Sequence, residues 1–520
     1  MPQYNHTIAR PHGAVVAPGL SSARAGEAED EPQPGAPPVL SWWFTRRIPW
    51  HRRIALEHGT ARYIAPRLAL ALSIVSAAAA GAAGTQPLPP VQIQQIRLAN
   101  GLKAVLVQRK ESPVVTLEVW YHVGSQNEAP GMAGFAHLFE HLMFDGTKEL
   151  GRDQFSRYIV GAGGVDNAYT TVDATVFWET IPSGTLPLAL WLEADRMRNL
   201  KVTEKTFDTE REVVEEERRF RLDSQPYGTM IERLYQNAFT VSPYRHLPIG
   251  SMKAIERAKL SEVRAFYDRY YVPNNATLVV VGDFSRARAE RLIREDFGPL
   301  KPSRNPIPRE FPAEPPQTHE RIVKLRQQVA LPAFVMGYHI PADGTPDSYA
   351  LRLLVNILSE GDSSWIYRRL VYQEQIALEA EAEGDFTEEP NLFLVFAVMN
   401  SGHTDAQGEA AMAAILDRLR ERPARQATLD KAKRQILFRM AKDLETTRRE
   451  ADELGYDAVI LRHPGLINSA AGRFLAVTRQ EIQSAARKYF RRRNLTLIEV
   501  DPSRPGGVER PAAGAKGGSR

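Results

Sequence analysis

Cysteine is absent from this sequence of 520 residues. Its absence excludes disulfide bonds, a thiol nucleophile, cysteine-bound metal and a cysteine-linked lipid anchor, so any metal ion must be bound by histidine and carboxylate side chains. An excess of one charge is also missing, because 66 lysine and arginine residues are balanced by 62 aspartate and glutamate residues, leaving a net charge of +4. Such a small surplus does not indicate a nucleic-acid-binding face, and we expect no nucleic-acid partner.

Little in the sequence could span a membrane. The apolar stretch that begins at Leu68 is shorter than the roughly 20 strongly apolar residues that a spanning helix needs. Hydrophobic residues make up 43% of the chain and charged residues 25%. This balance is typical of a globular protein with a core, and it excludes a collagen-like, wholly disordered or polytopic membrane protein. The length fits two or three domains.

The N-terminal part of the chain reads as a leader followed by a signal peptide. Residues 1–61 have scattered proline and glycine, an acidic patch and no apolar periodicity, which predicts disorder. In residues 62–83, arginines precede a short apolar stretch that ends in small residues. This is the pattern of a secretory signal, whose cleavage would leave no stable membrane insertion. A retained anchor, an ordinary leader and an organellar transit peptide remain alternatives. Since a signal normally opens a chain, we expect translation to start inside the leader.

Two halves follow the leader. Proline is dense around residues 299–316, where it could not occupy the interior of a helix or a sheet. We therefore predict a linker at 301–321 between domains at 91–300 and 322–500, each of about 200 residues, a normal domain size. The tail, residues 501–520, consists of glycine, proline, alanine and charged residues, and we predict that it is disordered.

The two halves share one order of elements. Residues 114–122 read as a strand followed by a polar loop and an apolar helix, and residues 333–340 read as a strand followed by a loop and a helix over residues 348–359. Strands and helices alternate in both halves. The sequence therefore predicts an α+β fold made of two homologous domains.

The strongest chemical signal is the sequence His137-x-x-Glu140-His141. Apolar residues lie between these polar ones, and glycine and proline are absent over residues 135–145, which predicts a helix. On a helix both imidazoles lie on one face and can bind one metal ion, and Glu140 faces the same way. Zinc lowers the pKa of its bound water, and a nearby carboxylate can take the proton. The alternative is a set of structural histidines, since this pattern arises by chance in roughly 2% of such chains.

Two histidines leave zinc without its third protein ligand, which is usually a carboxylate in hydrolases. The stretch 210–218 reads as a helix rich in glutamate, and its residues Glu210 and Glu217 lie on one face because they are two turns apart. The spacing does not choose among the five carboxylates of this stretch, and a solvated charged helix is the alternative.

Together, these motifs resemble those of the inverted zincins, which include pitrilysin, insulin-degrading enzyme and the mitochondrial processing peptidases. Residues 163–175 are similar to the substrate-binding edge strand of that family, and residues 266–283 are similar to the end of its first domain. The short, two-domain bacterial branch is the most similar. The resemblance implies that each domain is a mostly antiparallel sheet packed with helices. The second half has Leu358, Ser359 and Glu360 where the first has its site, so we expect the second domain to be metal-free.

The resemblance also implies a role for each site residue. His137, His141 and Glu217 would bind one zinc ion per chain. Glu140 would be the general base, and Glu210 would orient a zinc ligand.

The same resemblance assigns substrate binding to Asn167 and Ala168. A peptide would add to their strand as an extra strand, with its main chain bonded to Ala168 and the Asn167 side chain at a carbonyl near the scissile bond. The alternative for Asn167 is a turn residue, because two glycines precede it.

The second half departs from the family pattern. Self-sufficient members carry an arginine and, seven residues later, a tyrosine that stabilise the tetrahedral intermediate, whereas the corresponding positions here are Val371 and Leu378. Neither side chain donates a hydrogen bond, and losing one such donor typically costs about 2.7–4 kcal/mol. A shifted alignment with Arg368, Arg369 and Tyr372 is the alternative. The resemblance therefore implies a heterodimer with a zinc-less homologous subunit that supplies the arginine and tyrosine.

The sequence as a whole predicts a periplasmic, zinc-dependent endopeptidase that hydrolyses short or unfolded peptides. The alternatives are a non-catalytic scaffold or assembly subunit of the same fold and a dedicated precursor-processing peptidase. The complete set of zinc-site residues favours an enzyme over a scaffold. The domain plan does not separate peptide degradation from precursor processing.

Overall fold

The computed structural model describes residues 90–503. The predicted leader (1–61), the predicted signal peptide (62–83) and residues 504–520 lie outside this range. None of the helices within it is long and apolar enough to cross a membrane.

The strands are β1 (Gln94–Arg97), β2 (Lys103–Gln108), β3 (Val114–Tyr121), β4 (Val165–Thr170), β5 (Thr175–Pro182), β6 (Ala276–Gly282), β7 (Arg321–Gln327), β8 (Ala333–Ile340), β9 (Ala377–Gly384), β10 (Asn391–Met399) and β11 (Leu495–Pro502). The helices are α1 (Phe135–Leu142), α2 (Gln154–Gly161), α3 (Leu186–Asn199), α4 (Glu204–Arg218), α5 (Gly228–Ala238), α6 (Met252–Arg257), α7 (Leu260–Tyr270), α8 (Arg286–Phe297), α9 (Pro346–Ser359), α10 (Asp405–Glu421), α11 (Gln426–Asp443), α12 (Thr447–Val459), α13 (Ala470–Ala476) and α14 (Arg479–Tyr489).

The strands form two sheets of matching topology. The first has the order β1-β2-β6-β3-β5-β4, and the second has the order β7-β11-β8-β10-β9. In each sheet one pair is parallel, β2 with β6 and β7 with β11, and every other pair is antiparallel. Apart from β1, each strand of the first sheet has a counterpart in the second. This confirms the predicted α+β fold of two homologous, mostly antiparallel domains.

Each sheet is covered on one face by a helix from the other half of the chain. Ala451, Leu454 and Ala458 of α12 pack in one core with Val279 and Val281 of β6. Burial on both faces explains why the central strands are apolar almost throughout rather than alternating. The two halves are separate along the chain, but each contributes a helix that packs on the sheet of the other half.

The reciprocal contact is made by α5 on the second sheet. Met230 and Leu234 of this helix pack with Val335, Phe396 and Ile498 from three neighbouring strands. Removing apolar area from water at both exchanged helices stabilises the two domains against one another.

The Gly455→Ala variant is expected to lower the free energy of unfolding by about 1–3 kcal/mol, the usual cost of overpacking. Gly455 of α12 lies against the indole of Trp120, and an added methyl group would overlap the ring. The indole is fixed because its Nε1 donates a hydrogen bond of 2.6 Å to Glu118 Oε2. Urea unfolding followed by circular dichroism measures the change.

The matched control is Gly472→Ala in α13, where nothing lies within 4 Å of an added Cβ. Alanine is a better helix former than glycine, so this variant is expected to be neutral or more stable by up to about 1 kcal/mol. Equal effects of the two substitutions would contradict the close packing of α12 on Trp120.

The first two residues of the predicted tail, Asp501 and Pro502, belong to strand β11. Strand β11 continues to Pro502, because its parallel pairing with β7 extends through Asp501 opposite Arg326 and Pro502 opposite Gln327. The proline occupies the last position of the strand, where the missing N–H costs little.

The proline-rich segment packs against both halves. Glu314 accepts hydrogen bonds from the backbone of Val241 and Ser242, each at 2.9 Å. Further along, the Gln317 side chain donates to the Leu495 carbonyl in β11 at 2.7 Å. Residues 301–320 contain no helix or strand, which agrees with the proline content, and these contacts hold the segment along the surface.

Candidate active site

Helix α1 carries the predicted metal motif on a buried face. Its apolar residues Phe135, Leu138 and Phe139 pack into the core of the first domain. The helix begins after Gly134, which has a φ of 108° and no side chain to cap the helix. The buried carboxylate of Glu128 caps it instead, accepting hydrogen bonds from the N–H groups of Gly134 at 2.9 Å and of Ala136, further along the helix, at 2.8 Å. An anion is favourable at this end because of the helix dipole.

A second glycine fixes the start of α1 against the end of α4. Gly250 has a φ of 74°, and a Cβ at this position would collide with the backbone of Ala133 and Gly134. The guanidinium of Arg218 donates to the Gly250 carbonyl and also pairs with Glu232 at 3.1 Å. Since Arg218 is the last residue of α4, this contact holds the helix that carries Glu217 close to α1.

The structure brings the three predicted metal ligands together. Ligand atoms of His137, His141 and Glu217 all lie within 4.8 Å of one another. Glu217 Oε2 is 3.7 Å from His137 Nε2 and 3.2 Å from His141 Nε2. The histidines are 3% and 6% exposed. Two imidazole nitrogens and one carboxylate oxygen are a usual donor set for hydrolytic zinc, so these residues fit the ion.

Glu210 lies on the far side of His141, as predicted for a residue that orients a ligand. Its Oε2 is 3.6 Å from His141 Nδ1, and its Oε1 accepts a hydrogen bond of 2.7 Å from Arg152. Burial lowers the pKa of His141, but the neighbouring carboxylates of Glu210 and Glu217 outweigh burial and raise that pKa to about 10. The carboxylates therefore create a negative potential that favours a cation at this position.

Glu140 is 3% exposed and projects from α1 toward β4. The Thr170 hydroxyl donates a hydrogen bond of 2.6 Å to Glu140 Oε2. At the predicted metal ligand Glu217, Oε1 forms an ion pair of 2.8 Å with Arg221. The carboxylates of the site are thus held by neighbouring donors.

Sequence reasoning missed Glu128, Thr170, Arg152 and Arg221. Arg221 had a local signal, because it follows Glu217 by four residues and so lies on the same face. Thr170 lies inside the stretch that resembles the substrate strand, but no spacing rule joins it to α1.

The predicted substrate-binding residues lie on an edge strand. Strand β4 pairs with β5 and ends the first sheet. Within β4, the Ala168 N–H donates to Asn167 Oδ1 at 2.9 Å. The Asn167 side chain therefore occupies the position that a carbonyl of an added peptide strand would take.

Val371 and Leu378, which the sequence predicts at the positions of the family arginine and tyrosine, lie in the π-helical turn Tyr367–Gln373 and at the start of β9. Val371 packs against the core of the second domain, and Leu378 is 50% exposed. Of the alternative residues, Arg369 pairs with Glu374 at 2.8 Å, and Tyr372 is 71% exposed.

A second carboxylate group, Asp405, Glu409 and Glu499, has ligand atoms within 4.8 Å of one another. The ammonium group of Lys324 lies 2.7 Å from Glu499 and supplies a positive charge there. The group contains no imidazole, so it is a weaker candidate for zinc than the group on α1 and α4.

Comparison with known proteins agrees with the geometry. The family model described as insulinase, peptidase family M16, matches residues 103–247, and the model described as the peptidase M16 inactive domain matches residues 257–436. The zinc protease PqqE of Helicobacter pylori is 32% identical over 415 residues, which cover 79% of this chain and 93% of the relative. The chain belongs to peptidase family M16.

Solved structures of M16 peptidases share the fold. The crystal structure of a protease from Helicobacter pylori has a TM-score of 0.77 at 31% identity and covers 79% of this chain and all of that one. The periplasmic protease PqqL from Escherichia coli has a TM-score of 0.66 at 19% identity, with 79% of this chain and 48% of that one covered. The first M16 model includes both histidines of α1, Glu140 and the predicted ligand Glu217, and the second includes Val371.

Proposed function

We propose that the chain is a zinc-dependent endopeptidase that hydrolyses short or unfolded peptides. The observation that carries this proposal is the grouping of His137, His141 and Glu217 within 4.8 Å in a buried site, with Glu140 on the same helix. A scaffold subunit would have no need of this complete set of residues.

Each residue of the site has a separate role in the proposed reaction. When bound, zinc supplies a Lewis acid that polarises the scissile carbonyl and turns water into a nucleophile at neutral pH. Both imidazoles and the Glu217 carboxylate would hold the ion. Glu140 accepts the proton of the attacking water and can deliver it to the leaving amine. Glu210 and Arg152 keep the His141 ring in a fixed orientation, as outer partners of metal ligands generally do.

Strand β4 aligns the substrate. An extended peptide can pair with this edge and bring its scissile bond to Glu140, whereas a folded protein presents no free strand of this kind. Pairing requires the Asn167 side chain to release the Ala168 N–H and turn toward the substrate. The need for a free, extended strand in the substrate supports a preference for short or unfolded peptides.

We further propose that the enzyme acts in the periplasm as the zinc-bearing subunit of a heterodimer. The signal-like residues 62–83 and the likeness to a periplasmic protease support the location. The heterodimer is supported by Val371 and Leu378, which cannot donate hydrogen bonds to an oxyanion. The same observation favours a second candidate, a non-catalytic subunit of this fold.

Peptide hydrolysis distinguishes these candidates. The zinc-loaded chain is expected to cleave quenched peptides of mixed sequence slowly, and a zinc-less homologue carrying the arginine and tyrosine is expected to raise kcat/KM by about 10²–10³-fold, the value of one oxyanion donor. Chelator is expected to abolish both activities. Light scattering of the mixture measures assembly.

Robust hydrolysis by the chain alone would contradict the heterodimer and retain the enzyme. Zinc bound at one ion per chain with no hydrolysis in any mixture would favour the non-catalytic subunit.

A further inference from the structure

Strand β4 makes two buried polar contacts on opposite faces at consecutive residues. On the face toward α1, the Thr170 hydroxyl donates to Glu140 Oε2 at 2.6 Å. On the opposite face, the Tyr169 hydroxyl donates to Asp452 Oδ1 at 2.9 Å. Asp452 belongs to α12, which comes from the second half of the chain. Adjacent residues of one strand therefore contact the general base and the other domain.

The position of the Thr170 hydroxyl is fixed by the hairpin that follows it. Thr170 lies opposite Thr175 in the β4–β5 register. The Thr171 N–H donates to the Ala174 carbonyl at 2.8 Å, and Thr171 Oγ1 accepts from the Ala174 N–H at 2.9 Å. Because the backbone cannot easily shift, the hydroxyl acts as a fixed donor to one oxygen of Glu140.

This contact has a geometric consequence for the reaction. A hydrogen bond to Oε2 orients the carboxylate plane, and the orientation of that plane decides whether the carboxylate can reach the proton of the attacking water. General-base catalysis requires the base within hydrogen-bond reach of that proton, so a rotated Glu140 would act slowly even with the metal in place.

The contact on the opposite face is itself held firmly. Asp452 pairs with Arg448 of the same helix at 2.5 Å, and Arg448 pairs with Glu118 of β3 at 2.6 Å. The Arg448 guanidinium lies 4.3 Å from the ring centre of Trp178 on β5. These contacts join α12 to three strands of the first sheet, including β4.

We propose that Thr170 is a positioning residue that orients Glu140, and that Asp452 of the second domain holds Thr170 in place through Tyr169. This inference rests on the proposed role of Glu140 as the general base. A single strand, β4, would then carry the substrate-binding edge, the contact to the base on α1 and the contact with the second domain.

Substitutions of Thr170 test whether its hydroxyl orients Glu140. Thr170→Val is expected to lower kcat about tenfold, since hydrogen bonds to charged groups are worth roughly this factor. KM and the stoichiometry of one zinc per chain are expected to stay unchanged. Thr170→Ser restores the hydroxyl and is expected to return kcat to within threefold of the wild type.

The matched control is Thr175→Val, one strand away. The Thr175 hydroxyl is buried, donates to the Val123 carbonyl at 2.9 Å and accepts from the Tyr271 hydroxyl at 3.5 Å, so this variant loses a buried hydroxyl of the same strand pair whose partners are Val123 and Tyr271. Its kcat is expected to stay within twofold of the wild type. A kcat within twofold for Thr170→Val, or an equal loss in Thr175→Val, would overturn the proposal.

A binding measurement gives a readout that does not depend on turnover. A peptide hydroxamate can bind zinc and donate a hydrogen bond to a correctly placed carboxylate. Calorimetry with the zinc-loaded protein is expected to show about tenfold weaker binding for Thr170→Val and unchanged binding for Thr175→Val. Unchanged affinity in both variants would overturn the proposal.

Tyr169→Phe tests whether Asp452 holds Thr170 in place through Tyr169, because it removes only the hydroxyl that donates to Asp452. It is expected to lower kcat about threefold, and the double variant Tyr169→Phe/Thr170→Val is expected to be no slower than Thr170→Val alone. Such non-additivity indicates that both residues act on one group. Additive losses would overturn the connection from the second domain.

The wild type separates these outcomes from failure of the proposed function. A wild-type protein that neither binds zinc nor hydrolyses peptide with a partner present would remove the basis of both proposals. A wild type that does both, with Thr170→Val equally active, would overturn only the positioning role.

Discussion

The Glu140→Gln variant is expected to lower kcat for peptide hydrolysis by about 10²–10⁴-fold, the usual contribution of a general acid–base residue. Glutamine has the same shape, and its carbonyl oxygen can still accept the hydrogen bond from Thr170, but it cannot take a proton from water. Since Glu140 is not one of the proposed ligands, the variant is expected to retain one zinc ion per chain, measured by elemental analysis.

Glu216→Gln is the matched control for this substitution. Glu216 is exposed and pairs with Arg219 at 3.1 Å on the surface of α4, so its loss is expected to change kcat by less than twofold. If Glu140→Gln kept kcat within tenfold of the wild type, another group would have to take the proton, and the proposed mechanism would be wrong.

The parts of the site that the sequence predicted are those set by local periodicity. His137, Glu140 and His141 share a helix, so the spacing alone places them on one face. Glu210 and Glu217 share another helix, and the same rule places them together. The choice of Glu217 as a ligand came from the family resemblance, because spacing could not select one carboxylate among five.

The parts that could not be predicted depend on contacts between distant elements. The amphipathic pattern of α12 indicates a buried face, but it does not say which sheet covers that face, and the helix packs on the sheet of the other half. The contact between Thr170 and Glu140 depends on how β4 packs against α1. Arg152 reaches Glu210 from the segment before α2, and no periodic pattern joins them.

A graded loss of zinc affinity is expected across three glutamates of α4. Glu217→Gln replaces a proposed anionic ligand by a neutral amide and is expected to weaken zinc binding most. Glu210→Gln removes a partner of His141 and is expected to weaken binding by about 10–100-fold, as is usual for residues that orient a ligand. Glu216→Gln is expected to leave the affinity unchanged.

Competition with a chromogenic chelator measures this series without substrate or partner, so the result does not depend on the heterodimer. Unfolding in urea shows that each variant is folded. The expected order of zinc affinities follows from the distances. Glu217 Oε2 lies 3.2 Å from His141 Nε2, whereas Glu210 Oε2 lies 3.6 Å from Nδ1 on the other side of the ring. If Glu210→Gln lost more affinity than Glu217→Gln, Glu210 would be the third ligand, and zinc would be bound through Nδ1 of His141.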